Sequence, residues 1–153
     1  MKPDHQKFLQ VAITEAQKAG VKKEVPIGAV IVDANGNIIG RGRNQTHAKK
    51  DGLGHAELVA LRQAQRKLGD WRFPGAKIYV TLEPCLMCLG AIGNARIKEV
   101  YYGLADPLFG SIESKLTNKQ VKKMFPKLEC FKLPDDGTVA GLMKQFFHGL
   151  RKR

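Results

Sequence analysis

The stretch Ala76-Lys77-Ile78-Tyr79-Val80-Thr81-Leu82-Glu83-Pro84-Cys85-Leu86-Met87-Cys88 decides how this chain is read. Its first seven residues form a largely apolar run that suits a strand covered on both faces. The run passes directly into Glu83-Pro84-Cys85, where proline fits the first turn of a helix because its missing N–H costs nothing there. Cys85 and Cys88 then stand three apart on one helix face, and both can reach a single ion. The start of a helix carries partial positive charge, which favours thiolates.

Upstream lies His55-Ala56-Glu57, at the start of a second helical pattern. Together His55, Cys85 and Cys88 supply three zinc-type ligands. A structural zinc usually takes four protein ligands, whereas a catalytic zinc takes three and keeps a position for water. Glu57 is then a carboxylate not needed as a ligand, placed to carry protons between that water and a leaving group. The pattern spells hydrolysis. Each motif alone has a plainer reading: His-x-Glu as a helix-start histidine with a solvated acid, Cys-x-x-Cys as half a zinc ribbon or a redox pair. No second Cys-x-x-Cys completes a ribbon, and a redox pair leaves His55 and Glu57 unexplained. Cys130, in an apolar run, reads as a buried thiol, with a fourth-ligand role as the alternative.

The 153 residues suffice for one domain, residues 1–153, with a core of its own. There is no apolar run of membrane-spanning length, and Met1-Lys2-Pro3-Asp4-His5 lacks a signal-peptide stretch, so a cytoplasmic protein is expected. Lys and Arg number 26 against 14 acids, giving a net charge of +12 and a pI near 9.8. Such a balance belongs with a nucleic-acid partner, although an indifferent cationic surface has the same composition. The terminal Arg151-Lys152-Arg153 is one of several basic clusters.

Elements alternate along the rest of the chain. Phe8, Val11, Ala12, Ala16 and Ala19 recur at helical spacing and predict a helix closed by Gly20. Residues 26–32 and 38–42 read as a hairpin around Asp33-Ala34-Asn35-Gly36-Asn37. Residues 46–54 read as loop. A helix over 55–68 is expected to bury Leu58, Leu61, Ala64 and Leu68 and to stop at Gly69. Strands near 99–103 and 128–133, and helices near 115–125 and from 137, complete an α/β sandwich with a mixed sheet.

Thr81-Leu82-Glu83-Pro84-Cys85-Leu86-Met87-Cys88-Leu89-Gly90-Ala91-Ile92, with His55-Ala56-Glu57, resembles the cytidine deaminase superfamily and its zinc signature. Val25-Pro26-Ile27-Gly28-Ala29-Val30, Leu68-Gly69-Asp70-Trp71-Arg72, Tyr102-Gly103-Leu104-Ala105-Asp106-Pro107 and Phe146-Phe147 are similar to the bacterial tRNA-specific adenosine deaminases within it. The resemblance implies a three-layer α/β/α fold with a five-stranded mixed sheet, assembled as a homodimer with one zinc per subunit. It implies hydrolytic conversion of the wobble adenosine of an arginine tRNA anticodon to inosine, with the base flipped into the zinc pocket.

By that resemblance His55, Cys85 and Cys88 bind zinc and Glu57 shuttles the proton. Asn44 would hydrogen-bond the purine edge, with Leu82 and Asp106 beside the substrate, Phe147 against the anticodon and Arg151 on phosphate. Plainer readings stand beside these: Asn44 as a turn residue, Asp106 as a loop cap before Pro107, Phe146 and Phe147 as core, the tail as solvated charge. Two segments depart from the family. Gly52-Leu53-Gly54 is expected to loosen the loop before His55. Phe109, Ile112 and Glu113 are expected to change the shape and charge of the RNA groove. The alternative substrate is a free purine or pyrimidine base or nucleoside, as in a guanine deaminase, for which a charge of +12 has no use.

Overall fold

The structure, a computed structural model, describes residues 4–151. Helix α1 (His5–Val21) leads into strands β1 (Gly28–Val32) and β2 (Ile38–Arg43), then the single turn α2 (Thr46–Lys49) and helix α3 (Ala56–Leu68). Strand β3 (Lys77–Leu82), α4 (Leu86–Asn94), β4 (Glu99–Leu104), α5 (Asn118–Met124), β5 (Glu129–Lys132) and α6 (Thr138–Arg151) follow. Among the described residues no helix is long and apolar enough to cross a membrane.

The strands form one sheet in the order β2-β1-β3-β4-β5. β1 runs antiparallel to both β2 and β3, while β3, β4 and β5 run parallel, so the sheet is mixed. The parallel half needs crossovers, and α4 and α5 supply them. One face of the sheet packs on α3 and α4 through Ile31, Ile78, Val80, Val100, Leu61, Leu89 and Ile92. The other takes α1 through Phe8, Ala12, Val30, Tyr79 and Tyr101, and α6 joins by packing Val139 on Leu9 and Ile13. The expected three layers and five strands are present.

Register explains a feature of the α1 face. Tyr79, Tyr101 and Phe131 are partners across β3, β4 and β5, so their rings stack, with centroids 4.9 and 5.1 Å apart. On the opposite face, β2 meets α3 backbone to backbone. A Cβ at Gly42 would lie 2.1 Å from the Ala56 carbonyl oxygen, and one at Gly40 2.3 Å from that of Ala60. Glycine here is a condition of close helix–sheet approach.

Several expectations are corrected. The first helix does not stop at Gly20 but continues to Val21, and the chain reverses at Lys23 with φ 62°. Residues 46–54 are not all loop, because Glu24 caps α2, its carboxylate accepting from the His47 and Ala48 N–H groups. In α3 the buried stripe is Ala56, Glu57, Ala60, Leu61 and Ala64, while Leu68 is 48% exposed. The small residues face the sheet because β2 leaves no room for larger ones. Gly69 does stop α3, in the left-handed conformation.

Candidate active site

β3 ends at Leu82, and two residues later the chain turns into α4. Cys85 is the N-cap of α4, with Cys88 in its first turn. Pro84 therefore precedes the helix instead of entering its first turn as expected. His55 is likewise the N-cap of α3. Neither residue caps its own helix with its side chain. Both side chains turn across the gap toward each other.

The His55 Nδ1 atom lies 3.6 Å from Cys85 Sγ and 3.5 Å from Cys88 Sγ. These are the only three metal-ligating side chains among the described residues whose donor atoms cluster, all within 4.8 Å of one another. Ordinary zinc–sulfur and zinc–nitrogen bond lengths at a tetrahedral angle require about 3.6 Å between such donors. The donor set thus fits zinc. One imidazole with two thiolates is too soft for magnesium or calcium, and three ligands leave a fourth position open. Cys130 is not part of the cluster. It lies half-buried on the edge strand β5, its thiol pushed up to about 11 by burial, so neither a full core position nor a fourth ligand is found.

Electrostatics single out two groups. Glu57, 4% exposed in the first turn of α3, has its carboxyl pushed up to about 7 by burial. A carboxyl there can both accept and release a proton near neutrality. The hydrogen bond from Cys88 and that with His55 hold the Cys85 thiol down to about 4. His55 is pushed up, first by its hydrogen bond to Cys85. Cys88 is pushed up by the hydrogen bond it shares with Cys85 and by burial.

His55, Glu57 and Cys85, but not the buried Cys88, stand at one wall of a cavity of about 610 Å³. Asn44, Leu82, Asp106 and Phe147 line it together with His55, Glu57 and Cys85. Asn44 is 8% exposed, and its N–H donates to the Ile27 carbonyl, extending the β1–β2 hairpin. Asp106 is both cavity wall and loop cap: its Oδ1 accepts from the N–H groups of Leu108 and Phe109. Phe147 is 43% exposed and faces the cavity, so it is not core, whereas Phe146 lies in a separate groove between α1 and α6. Arg151 is exposed at the end of α6 and does not line the cavity. Lys152 and Arg153 lie outside the described residues.

The two departing segments meet expectation only at Phe109, which lines the cavity. Gly54 is pinned, its N–H donating to the Asp51 carbonyl and its carbonyl accepting from Gln45, and a Cβ there would sit 3.0 Å from Asp51 O. A tight turn, not looseness, calls for that glycine. Ile112 is core, and Glu113 accepts a 2.5 Å hydrogen bond from the Tyr102 hydroxyl, so neither shapes the cavity. Leu108 and Phe109 do, as exposed apolar groups at its mouth.

Sequence reasoning missed Val25, Ile27, Leu104 and Met143 as cavity lining. It also passed over Glu83, a buried carboxylate. Burial would raise its pKa, but hydrogen bonds from Ser114, Glu113, Ile112 and Asp106 outweigh that and hold it below the ordinary range. An acid ending a buried strand, with no nearby cation in sequence, was the available signal.

Residues 2–104 match the cytidine and deoxycytidylate deaminase zinc-binding region. The tRNA-specific adenosine deaminase of Agrobacterium fabrum is 41% identical over 94% of this chain and 94% of its own. A solved tRNA:A34 deaminase, studied for A-to-I editing at the wobble position of transfer RNA, is 40% identical with a TM-score of 0.77. That match covers 86% of this chain and all of the other. A guanine deaminase from Bacillus subtilis is more distant, 29% identical with a TM-score of 0.65 over 99% of this chain and 96% of its own. The chain belongs to the zinc-binding cytidine and deoxycytidylate deaminase family, in its branch of tRNA-specific adenosine deaminases.

Proposed function

We propose that this chain is a zinc-dependent hydrolase that converts the wobble adenosine of a tRNA anticodon, in the first instance an arginine tRNA, to inosine. The observation that carries it is the placement of Glu57: a buried carboxyl in the first turn of α3, beside a three-donor zinc site, on the wall of a cavity large enough for a nucleobase. Identity of about 40% to tRNA-specific adenosine deaminases along nearly the whole chain supports the substrate.

His55, Cys85 and Cys88 hold the metal, which when bound supplies a Lewis acid and lowers the pKa of a water toward neutrality. Glu57 takes a proton from the attacking water, delivers it to the purine ring, and returns protons to the departing amino group, which leaves as ammonia. Asn44 reads the purine edge through its amide. Leu82 and Ile27 give the base an apolar seat that excludes bulk water. Asp106 stands at the sugar side, and Phe147 offers a stacking face for the splayed anticodon. Arg151, beyond the cavity, serves phosphate together with the other cations of a chain whose net charge is +12.

The chain works as a single domain over residues 1–153, in the cytoplasm, as a homodimer. The exposed Leu86 and Met87 on α4 are apolar surface suited to a partner copy. Inosine formation by the zinc-loaded protein on an arginine anticodon stem-loop, beside a panel of free bases and nucleosides, tests the assignment. Inosine in RNA alone is expected. Ammonia released only from guanine or another small molecule would keep the zinc chemistry and replace the substrate, with the guanine deaminase kinship as its precedent.

A further inference from the structure

Glu83 sits between the end of β3 and the ligand Cys85 and is 2% exposed. Among the described residues no Lys or Arg side chain pairs with it. Its partners are instead donors from one segment. Oε2 accepts from the N–H groups of Ile112, Glu113 and Ser114, at 2.9, 2.8 and 3.1 Å. Oε1 accepts from the Asp106 N–H at 3.0 Å and from the Ser114 hydroxyl at 2.5 Å. Residues 106–114 therefore close around a single anion, as a nest of N–H groups does around a bound phosphate.

The fit is close. A Cβ at Gly110 would fall 2.2 Å from the Glu83 carboxyl carbon, so only glycine lets the segment pass. A second tie lies alongside: the Ser111 N–H and hydroxyl both donate to the Pro84 carbonyl, and Gly110 makes a β-bridge with Cys85. The other side of the same segment is cavity wall, through Asp106, Leu108 and Phe109. Leu108 and Phe109 are 71% and 69% exposed, and the Asp106 carboxylate and the backbone of their segment hold them where they stand.

We propose that Glu83 is a positioning residue that sets the distance between the metal ligand Cys85 and the substrate-facing wall at 106–109. It touches no reacting atom. A carboxylate is needed because N–H groups converge on both of its oxygens from four residues, and an amide in its place keeps one acceptor but sets an NH2 donor against the N–H groups on the other side. The wall then relaxes while His55, Cys85, Cys88 and Glu57, held by α3 and α4, stay in place. Loss of Glu83 consequently weakens substrate capture more than bond-making. This builds on the proposed RNA substrate only for the identity of what is captured.

The test compares the full-length, zinc-loaded protein with Glu83→Gln and Ser114→Ala. Three quantities are read: zinc content, amide hydrogen exchange at Asp106, Ile112, Glu113 and Ser114, and KM and kcat on the anticodon stem-loop. Glu83→Gln is expected to keep its zinc, lose exchange protection at the amides that face its new NH2 group, and raise KM by about tenfold with kcat within about threefold. Ser114→Ala, which removes one donor, moves the same quantities less and in the same direction. Unchanged protection in Glu83→Gln, or a fall in kcat with KM unmoved, overturns the proposal. Should Glu83→Gln fail to fold, Ser114→Ala and Glu83→Asp decide by the same readings. Wild-type protein inactive on RNA, with amides of the segment released by Glu83→Gln, would sink the substrate assignment and leave the positioning role standing.

Discussion

Gly42→Ala tests whether the sheet sets the metal site. The added Cβ would lie 2.1 Å from the Ala56 carbonyl oxygen and 2.6 Å from the Ala60 nitrogen, both backbone atoms that cannot rotate away. Restoring ordinary contact requires the start of α3 to move by about 1 Å, because interiors are packed without slack. Overpacking of this kind costs about 3 kcal/mol at the upper end of its range. Alanine recovers about 0.5–1 kcal/mol over glycine in a strand. A net loss of about 2 kcal/mol lowers Tm by about 4–8 °C in a chain of this size. The move falls beside His55, whereas metal sites tolerate donor shifts of only about 0.2 Å, so zinc affinity should drop by about tenfold or more. Thermal melts and zinc competition against a chromogenic chelator read both quantities. Gly40→Ala meets Ala60 O at 2.3 Å, one turn further from His55, and should cost similar Tm with less loss of zinc. Gly141→Ala, on exposed α6 with nothing within 4 Å, should raise Tm slightly. Wild-type zinc affinity in a Gly42→Ala protein that melts lower would refute the coupling of β2 to the metal site.

Glu57→Gln should keep zinc and lower turnover by at least about 10²–10⁴-fold, since the amide cannot shuttle a proton; near-full activity by inosine assay would end the mechanism. Chelator-treated protein should show one fast thiol toward a disulfide reagent. That thiol is Cys85, held down to about 4 and thus a thiolate at pH 8 and down to about pH 5. Cys130, pushed up to about 11, should stay slow, and a burst that survives Cys85→Ser would contradict this. Joint removal of Arg151, Lys152 and Arg153 should weaken RNA binding and flatten the slope of log affinity against log salt by about 2. An unaltered slope would assign the tail to solvent.

What could be read from the sequence follows from where each constraint lies. His55, Glu57, Cys85 and Cys88 were legible because metal chemistry fixes residue type and close spacing, and the structure brings the three donors within 4.8 Å. The five strands were legible from apolar runs bounded by turns. In the α3 stripe Leu61 and Ala64 were read correctly, but Ala56 and Ala60 were missed and Leu68 misplaced because the close approach is dictated by Gly40 and Gly42 on a different strand. Phe147 resembled core for a similar reason, since periodicity marks an apolar face without saying whether protein or substrate covers it. Glu83 escaped because its donors are four backbone N–H groups and one serine hydroxyl, all more than twenty residues away.

The order of residues along the chain has a consequence for how such a protein can diversify. The three clustered donors and the buried Glu57 all lie between residues 55 and 88, inside the matched family region that ends at residue 104. The wall residues Asp106, Leu108, Phe109, Met143 and Phe147 all come after it. Val25, Ile27, Asn44 and Leu82 line the same cavity from before or among the donors, so only the outer wall belongs to the later part of the polypeptide. Exchanging the later part would reshape the outer wall while leaving the donor cluster, Glu57 and the inner lining in place, which makes the C-terminal third the natural place to alter what surrounds the bound base.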